Sequence, residues 1–176
     1  ITSVDTKTLI IELTELQRVN ALASSGTQGG DGHALTLDIN AGALVDLSSN
    51  LVEEVVGHPI LETSDTIKPT ISNVSFNYSD GVMLIHASET VDLTPTSKVN
   101  LQHVGITNET GGASPRITLL GATIVDIDGL TVTLHMSEDD RANAYYVSGL
   151  SGGDGGAAFL RSDPGFLVDI AQNTLD

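Results

Sequence analysis

The chain has 176 residues, 40% of them hydrophobic, which is enough for a packed core and excludes a disordered segment. Its 23 acidic against 7 basic side chains give a net charge of -16, which argues against nucleic acid and anionic membrane as partners and favours solubility and cation binding. There is no apolar run long enough to span a bilayer and no cysteine, so neither membrane insertion nor disulfides are expected to shape the protein.

No signal peptide opens the sequence, so a secreted protein would have shed its leader before Ile1 or would lie within a longer precursor. Read forward from Ile1, the chain meets itself again at Ile124. Laid over 124–176 without a gap, residues 1–53 give 20 identities in 53 positions, where unrelated sequence gives roughly three or four. The offset of 123 residues is the length of a small domain. Periods of about 20 to 50 residues build solenoids, whereas one of about 120 builds domains on a string. The expected organisation is a window on a tandem array: 1–66 is the C-terminal part of one repeat, incomplete alone, and 67–176 is a second repeat lacking its last strand.

In chain order, Thr8–Leu13 and its twin Thr131–Met136 read as half-buried strands, with Leu9, Ile11 and Leu13 (twins Val132, Leu134 and Met136) inward. Thr14-Glu15-Leu16-Gln17, matched by Ser137-Glu138-Asp139-Asp140, is a capping box or a close relative. A short helix should follow, with Leu16, Val19 and Leu22 on one face, stopping near Gly26, as its twin stops near Gly149. Gly29-Gly30-Asp31-Gly32, repeated at Gly152-Gly153-Asp154-Gly155, is turn chemistry; a phosphate loop would need a preceding strand, a following helix and usually a lysine. Residues 34–39 and 157–162 read as strands, and 42–47 and 165–170 as a bend with another short strand. Val55-Val56 and Ile60-Leu61 suggest a final strand, and Pro69 an extended join.

The second repeat then opens with Val74, Phe76 and Tyr78 alternating with polar residues. Ser79-Asp80-Gly81 turns the chain into Val82–Ile85. Val99 with Leu101, and Ile117 with Leu119, are further strand candidates, separated by a loop at Gly111-Gly112. Strands bounded by turns at short intervals, with one short helix inserted, give an all-β class of sandwich type.

Lys68-Pro69-Thr70-Ile71-Ser72-Asn73-Val74, Asp80–Ile85 running into Ala87-Ser88-Glu89-Thr90-Val91-Asp92, and Val168-Asp169-Ile170-Ala171-Gln172-Asn173 follow a known order of motifs. The pattern resembles bacterial immunoglobulin-like domains of S-layer and other surface proteins, and the related tandem repeats in large surface proteins of marine microbes and protists. There a Ser-Glu-Thr-Val-Asp turn closes the second strand and an Asp-x-Ala-Gly-Asn turn precedes the last. Gln172 stands where that glycine is usual, and Asp46–Asn50 departs further. The resemblance implies Ig-like β-sandwich repeats, each with one short inserted helix, with Met83, Ile85 and Ala87 inward, in an extracellular or cell-surface array.

Half a sandwich cannot bury its apolar faces or pair its edges. The expected partners are therefore neighbouring copies of the same repeat or the rest of a longer chain, joined by strand addition. Little points to an enzyme. The histidines (His33, His58, His86, His103 and His135) lack metal-ligand spacing, none is shared between the copies, and no Gly-x-Ser-x-Gly occurs. No cofactor is expected apart from calcium, for which the shared Asp31/Asp154, Asp46/Asp169 and Asn50/Asn173 are the candidate ligands, with turn capping as their other reading. Three sequons, at Asn73, Asn77 and Asn108, are candidate glycosylation sites on a secretory route. Two functions follow: a structural repeat of an extracellular filament, surface layer or stalk, and alternatively a calcium-dependent adhesion or glycan-binding module. The 3% aromatic content, without tryptophan, disfavours a sugar-stacking platform.

Overall fold

The computed structural model describes residues 7–108 and 116–176. It is β-rich, with several antiparallel sheets, and the chain divides into two compact units, Ile1–Asp65 and Thr66–Asp176.

The first unit begins with helix α1, Glu15–Ala23. Thr14 caps it in both directions: its hydroxyl accepts the Gln17 N–H at 3.4 Å, and its own N–H donates to Gln17 Oε1 at 3.0 Å. Of the face expected inward, Leu22 is buried, whereas Leu16 is 71% exposed. Strands β1 (Thr36–Ile39) and β2 (Val55–Pro59) then form a two-stranded antiparallel sheet, pairing Thr36 with Pro59 and Leu37 with His58. The register slips between Leu37 and Ile39, where Gly57 takes φ +69° and its N–H donates to Asp38 Oδ1 at 2.7 Å.

Residues 8–13 do not form the expected strand, and Leu9, Ile11 and Leu13 are exposed. The cause is a missing ladder. Their twin segment is held between two other strands in the second unit, and the described residues of the first unit offer it no strand to pair with.

The second unit opens with β3 (Ile71–Asn77) and β4 (Val82–Val91), a hairpin whose turn has Gly81 at φ +74°. Asn77 Oδ1 accepts the Ser79 N–H and Asp80 Oδ1 the Val82 N–H, both at 3.0 Å. Next come β5 (Val104–Thr107), β6 (Ile117–Thr118), β7 (Thr123–Ile124) and β8 (Gly129–His135), then α2 (Glu138–Tyr146), capped by Ser137, and β9 (Phe159–Ser162). They make a four-stranded sheet, β3-β4-β8-β7, and a three-stranded sheet, β6-β5-β9.

Alternation places Met83, Ile85 and Ala87 of β4 and Val132 and Leu134 of β8 on one buried face. Val104 and Ile106 of β5 and Phe166, Leu167 and Leu175 of the closing turns join the same core. Each such large side chain removed from water contributes about 1.5–3 kcal/mol.

Three expectations are corrected in this unit. Val99 is the C-cap of one short 3-10 helix, Thr96–Lys98, and Leu101 opens a second, Leu101–His103, which the Asn100 side chain caps by accepting the Gln102 N–H at 3.1 Å. Ser88–Asp92 is no turn: β4 runs on through Val91, which pairs with Gly129 on one side and bridges Asp169 on the other. Residues 165–170, like 42–47, form turns joined by isolated bridges, Val168 to Thr174 and Val45 to Leu51. The loop at Gly111-Gly112 lies outside the described residues.

Candidate functional site

The two shared motifs fold alike in both copies, down to individual hydrogen bonds. In the Gly-Gly-Asp-Gly loop, the Gly32 N–H donates to Ser25 O at 3.1 Å and the twin Gly155 N–H to Ser148 O at 3.2 Å. Asp31 Oδ1 accepts the His33 N–H, and Asp154 Oδ1 the Gly156 N–H, each at 2.9 Å. A Cβ on Gly30 or Gly153 would lie 2.2 Å from the carbonyl oxygen of Ser25 or Ser148, so only glycine fits that position.

The second motif is a tight turn. Asp46 Oδ1 accepts the N–H of Ser48 and of Asn50 at 2.8 Å, and its Oδ2 accepts the Asn50 side-chain amide at 2.8 Å. Asp169 accepts the Asn173 N–H at 2.7 Å and its amide at 2.9 Å. Ser49 and its twin Gln172 both take positive φ, +67° and +69°, the conformation that makes glycine usual at this position.

The structure thus brings Asp46 to Asn50 and Asp169 to Asn173, while Asp31 and Asp154 cap a different loop, and each carboxylate accepts bonds from its own turn. These bonds hold the Asp46 carboxyl below the usual range, chiefly through the Asn50 side chain, and the Asp31 carboxyl below it through the His33 N–H. Glu89 is the candidate cation ligand that sequence reasoning missed. Glu89 and Asp169, both buried, bring carboxylate oxygens within 4.8 Å of each other, and that pair could share a cation. Its only sequence signal was Glu89 in a motif taken for a turn.

Of the sequon residues, Asn73 and Asn77 stand on the exposed side of β3. The Asn77 amide donates to Asp80 Oδ2 at 2.7 Å, and that of Asn108 to Asp154 Oδ2 at 2.5 Å, so sugar there would displace an existing bond. The histidines are dispersed: His33 touches Asp31 at 3.3 Å, His86 bonds Thr131 at 3.0 Å and His103 bonds Pro164 O at 2.5 Å.

The second unit also has a cleft of about 330 Å³ between the edge strands of its two sheets. Val74 and Phe76 of β3, Tyr78 just after it, Met83, Ile106 and Leu160 line it, and burial raises the Tyr78 phenol pKa. A smaller cleft of about 190 Å³ continues the line past Ile71 and Ser162.

The backbone of β9 faces this opening in a defined way. Asp163 N–H donates to His103 O at 2.7 Å, so residues 159, 161 and 163 turn toward β5 while 158, 160 and 162 turn outward. In the first unit the Ile60 N–H donates to Leu35 O at 3.2 Å, so residues 35 and 37, twins of 158 and 160, turn toward β2. The same strand in the two copies therefore pairs through opposite edges. Scanned against protein-family models, curated proteins and solved structures, the chain matches none.

Proposed function

We propose that this chain is a structural element: a stretch of a tandem array of Ig-like β-sandwiches in an extracellular filament, surface layer or cell-surface stalk. In this reading each sandwich is completed by strands from a neighbouring unit, and no reactive centre is needed. One observation carries it. The same fragment occurs twice with the same internal hydrogen bonds, yet Leu167 is 1% exposed in the second unit and its twin Leu44 43% exposed in the first.

Apolar side chains left in water around an otherwise well-made turn indicate a surface built to be covered. The calcium-dependent adhesion alternative has less support, since the shared Asp and Asn residues already serve their own turns. The test is negative-stain imaging of the purified chain and of the native material. Regular strings of beads are expected; dispersed single particles at every concentration would end this reading.

A further inference from the structure

We infer that the cleft between β3 and β9 receives strand β2 of a second copy of this chain. This rests on the assembly reading above and names the contact through which copies join.

The twin supplies the register. In the first unit, β2 lies antiparallel on β1, with Leu37 opposite His58, Thr36 opposite Pro59 and the Ile60 N–H on Leu35 O. Shifted by 123 residues, those positions become Leu160, Phe159 and Ala158, and it is the matching edge of β9 that has no strand beside it among the described residues. A β2 strand laid there continues an interface already formed once in the molecule. Its alternation sends His58 and Ile60 into the cleft beside Leu160 and Ala158. Val55, opposite Ile39 in the first unit, comes to Ser162, which lines the smaller cleft.

The exchange is favourable because its terms do not cancel. The backbone ladder lost on β1 is regained on β9, strand for strand. Burial changes. On β1 the strand sits in an isolated two-stranded sheet, an arrangement of marginal stability in water, with His58 exposed and Ile60 38% exposed. On β9 it closes an apolar cleft between two sheets. Donor strand and acceptor cleft are different surfaces, so the contact is head-to-tail and propagates unless its rotation closes a ring. With -16 on every copy, assembly should strengthen with added salt and as pH approaches the pI of about 4.3.

The natural chain has no cysteine, so disulfides can report the pairing without background. Two full-length variants, Phe159→Cys and Pro59→Cys, are mixed and oxidised. The expected product is a disulfide between the two different chains, since the twin pair Thr36 and Pro59 are directly opposed. In a third variant, Thr36→Cys with Pro59→Cys, the bridge holds β2 on its own β1, and loss of the assembled fraction is expected, restored on reduction.

Assembly that proceeds without the mixed disulfide, or despite the lock, overturns the strand exchange and leaves the filament reading standing. A closed dimer carrying the mixed disulfide upholds the exchange and ends the filament reading. A chain that stays monomeric yet binds an added peptide of residues 54–61 overturns the second copy as the strand's source.

Discussion

The two units of this protein are a controlled comparison made by the chain itself: one 53-residue pattern in two surroundings. In Thr66–Asp176 the pattern lies against β3, β4 and β5, and Phe166, Leu167, Asp169, Ala171 and Leu175 are all buried. In Ile1–Asp65 the same turns form with the same bonds, while Leu22 and Ser25 are the only buried residues among those described. Local structure therefore does not depend on the core. Glycines at forced positions, side-chain caps and short-range carbonyl bonds specify the helix and both loops, whereas the strand at 8–13 vanishes when its ladder partner is absent.

The sharpest way to break the comparison is to delete the same side chain in both copies. Leu167→Ala should destabilise the second unit by about 2–5 kcal/mol. Its twin Leu44→Ala should change stability by no more than about 0.5 kcal/mol at protein concentrations that keep the chain unassembled. Urea denaturation of the full chain reads both. Equal losses would mean that the first unit has a core of its own.

A smaller difference is expected at the aspartates. Asp169→Ala removes the buried carboxylate that accepts the N–H and side-chain amide of the half-buried Asn173 and should cost about 1–3 kcal/mol. Asp46→Ala exposes the same groups to water and should cost less than about 1 kcal/mol.

The smallest effect is that of pH. The Asn50 amide and N–H hold Asp46 below its ordinary pKa, and Arg116 does the same for Asp163. Carboxyls of this kind bind a proton more readily when unfolded. Their stabilisation is present above the unfolded value of about 3.9 and is lost as pH falls through the lower folded values. Both groups face water, so the loss is slight. Salt should weaken the Asp163 contribution, an ion pair, and spare that of Asp46, whose donors are neutral amides. Acid titration at two ionic strengths, followed by NMR at these residues, separates them.

Much of this was legible in the residues alone. The capping box at Thr14, the hairpin turn at Ser79-Asp80-Gly81 and the strands at 34–39 and 157–162 follow from alternation and turn chemistry, while the inward triad Met83, Ile85 and Ala87 was only implied by the resemblance, because the apolar run Val82–Ile85 has no alternation to phase it. What escaped depended on neighbours distant in sequence. Val99 and Leu101 alternate like a strand, yet Val99 closes one 3-10 turn as its C-cap and Asn100 caps the next, at Leu101–His103. Val91 stays in β4 because Gly129 and Asp169 bond it from either side. The cleft was out of reach for the same reason, since its walls come from β3, β5 and β9, which meet only in the folded unit.

The opposite edges used by β1 and β9 give any assembly joined through them a direction. One terminus always shows an unfilled slot and the other a spare strand, so the two would grow at different rates. A copy with its strand tethered could still accept a neighbour but not be accepted, and a trace of it would set the length of the product.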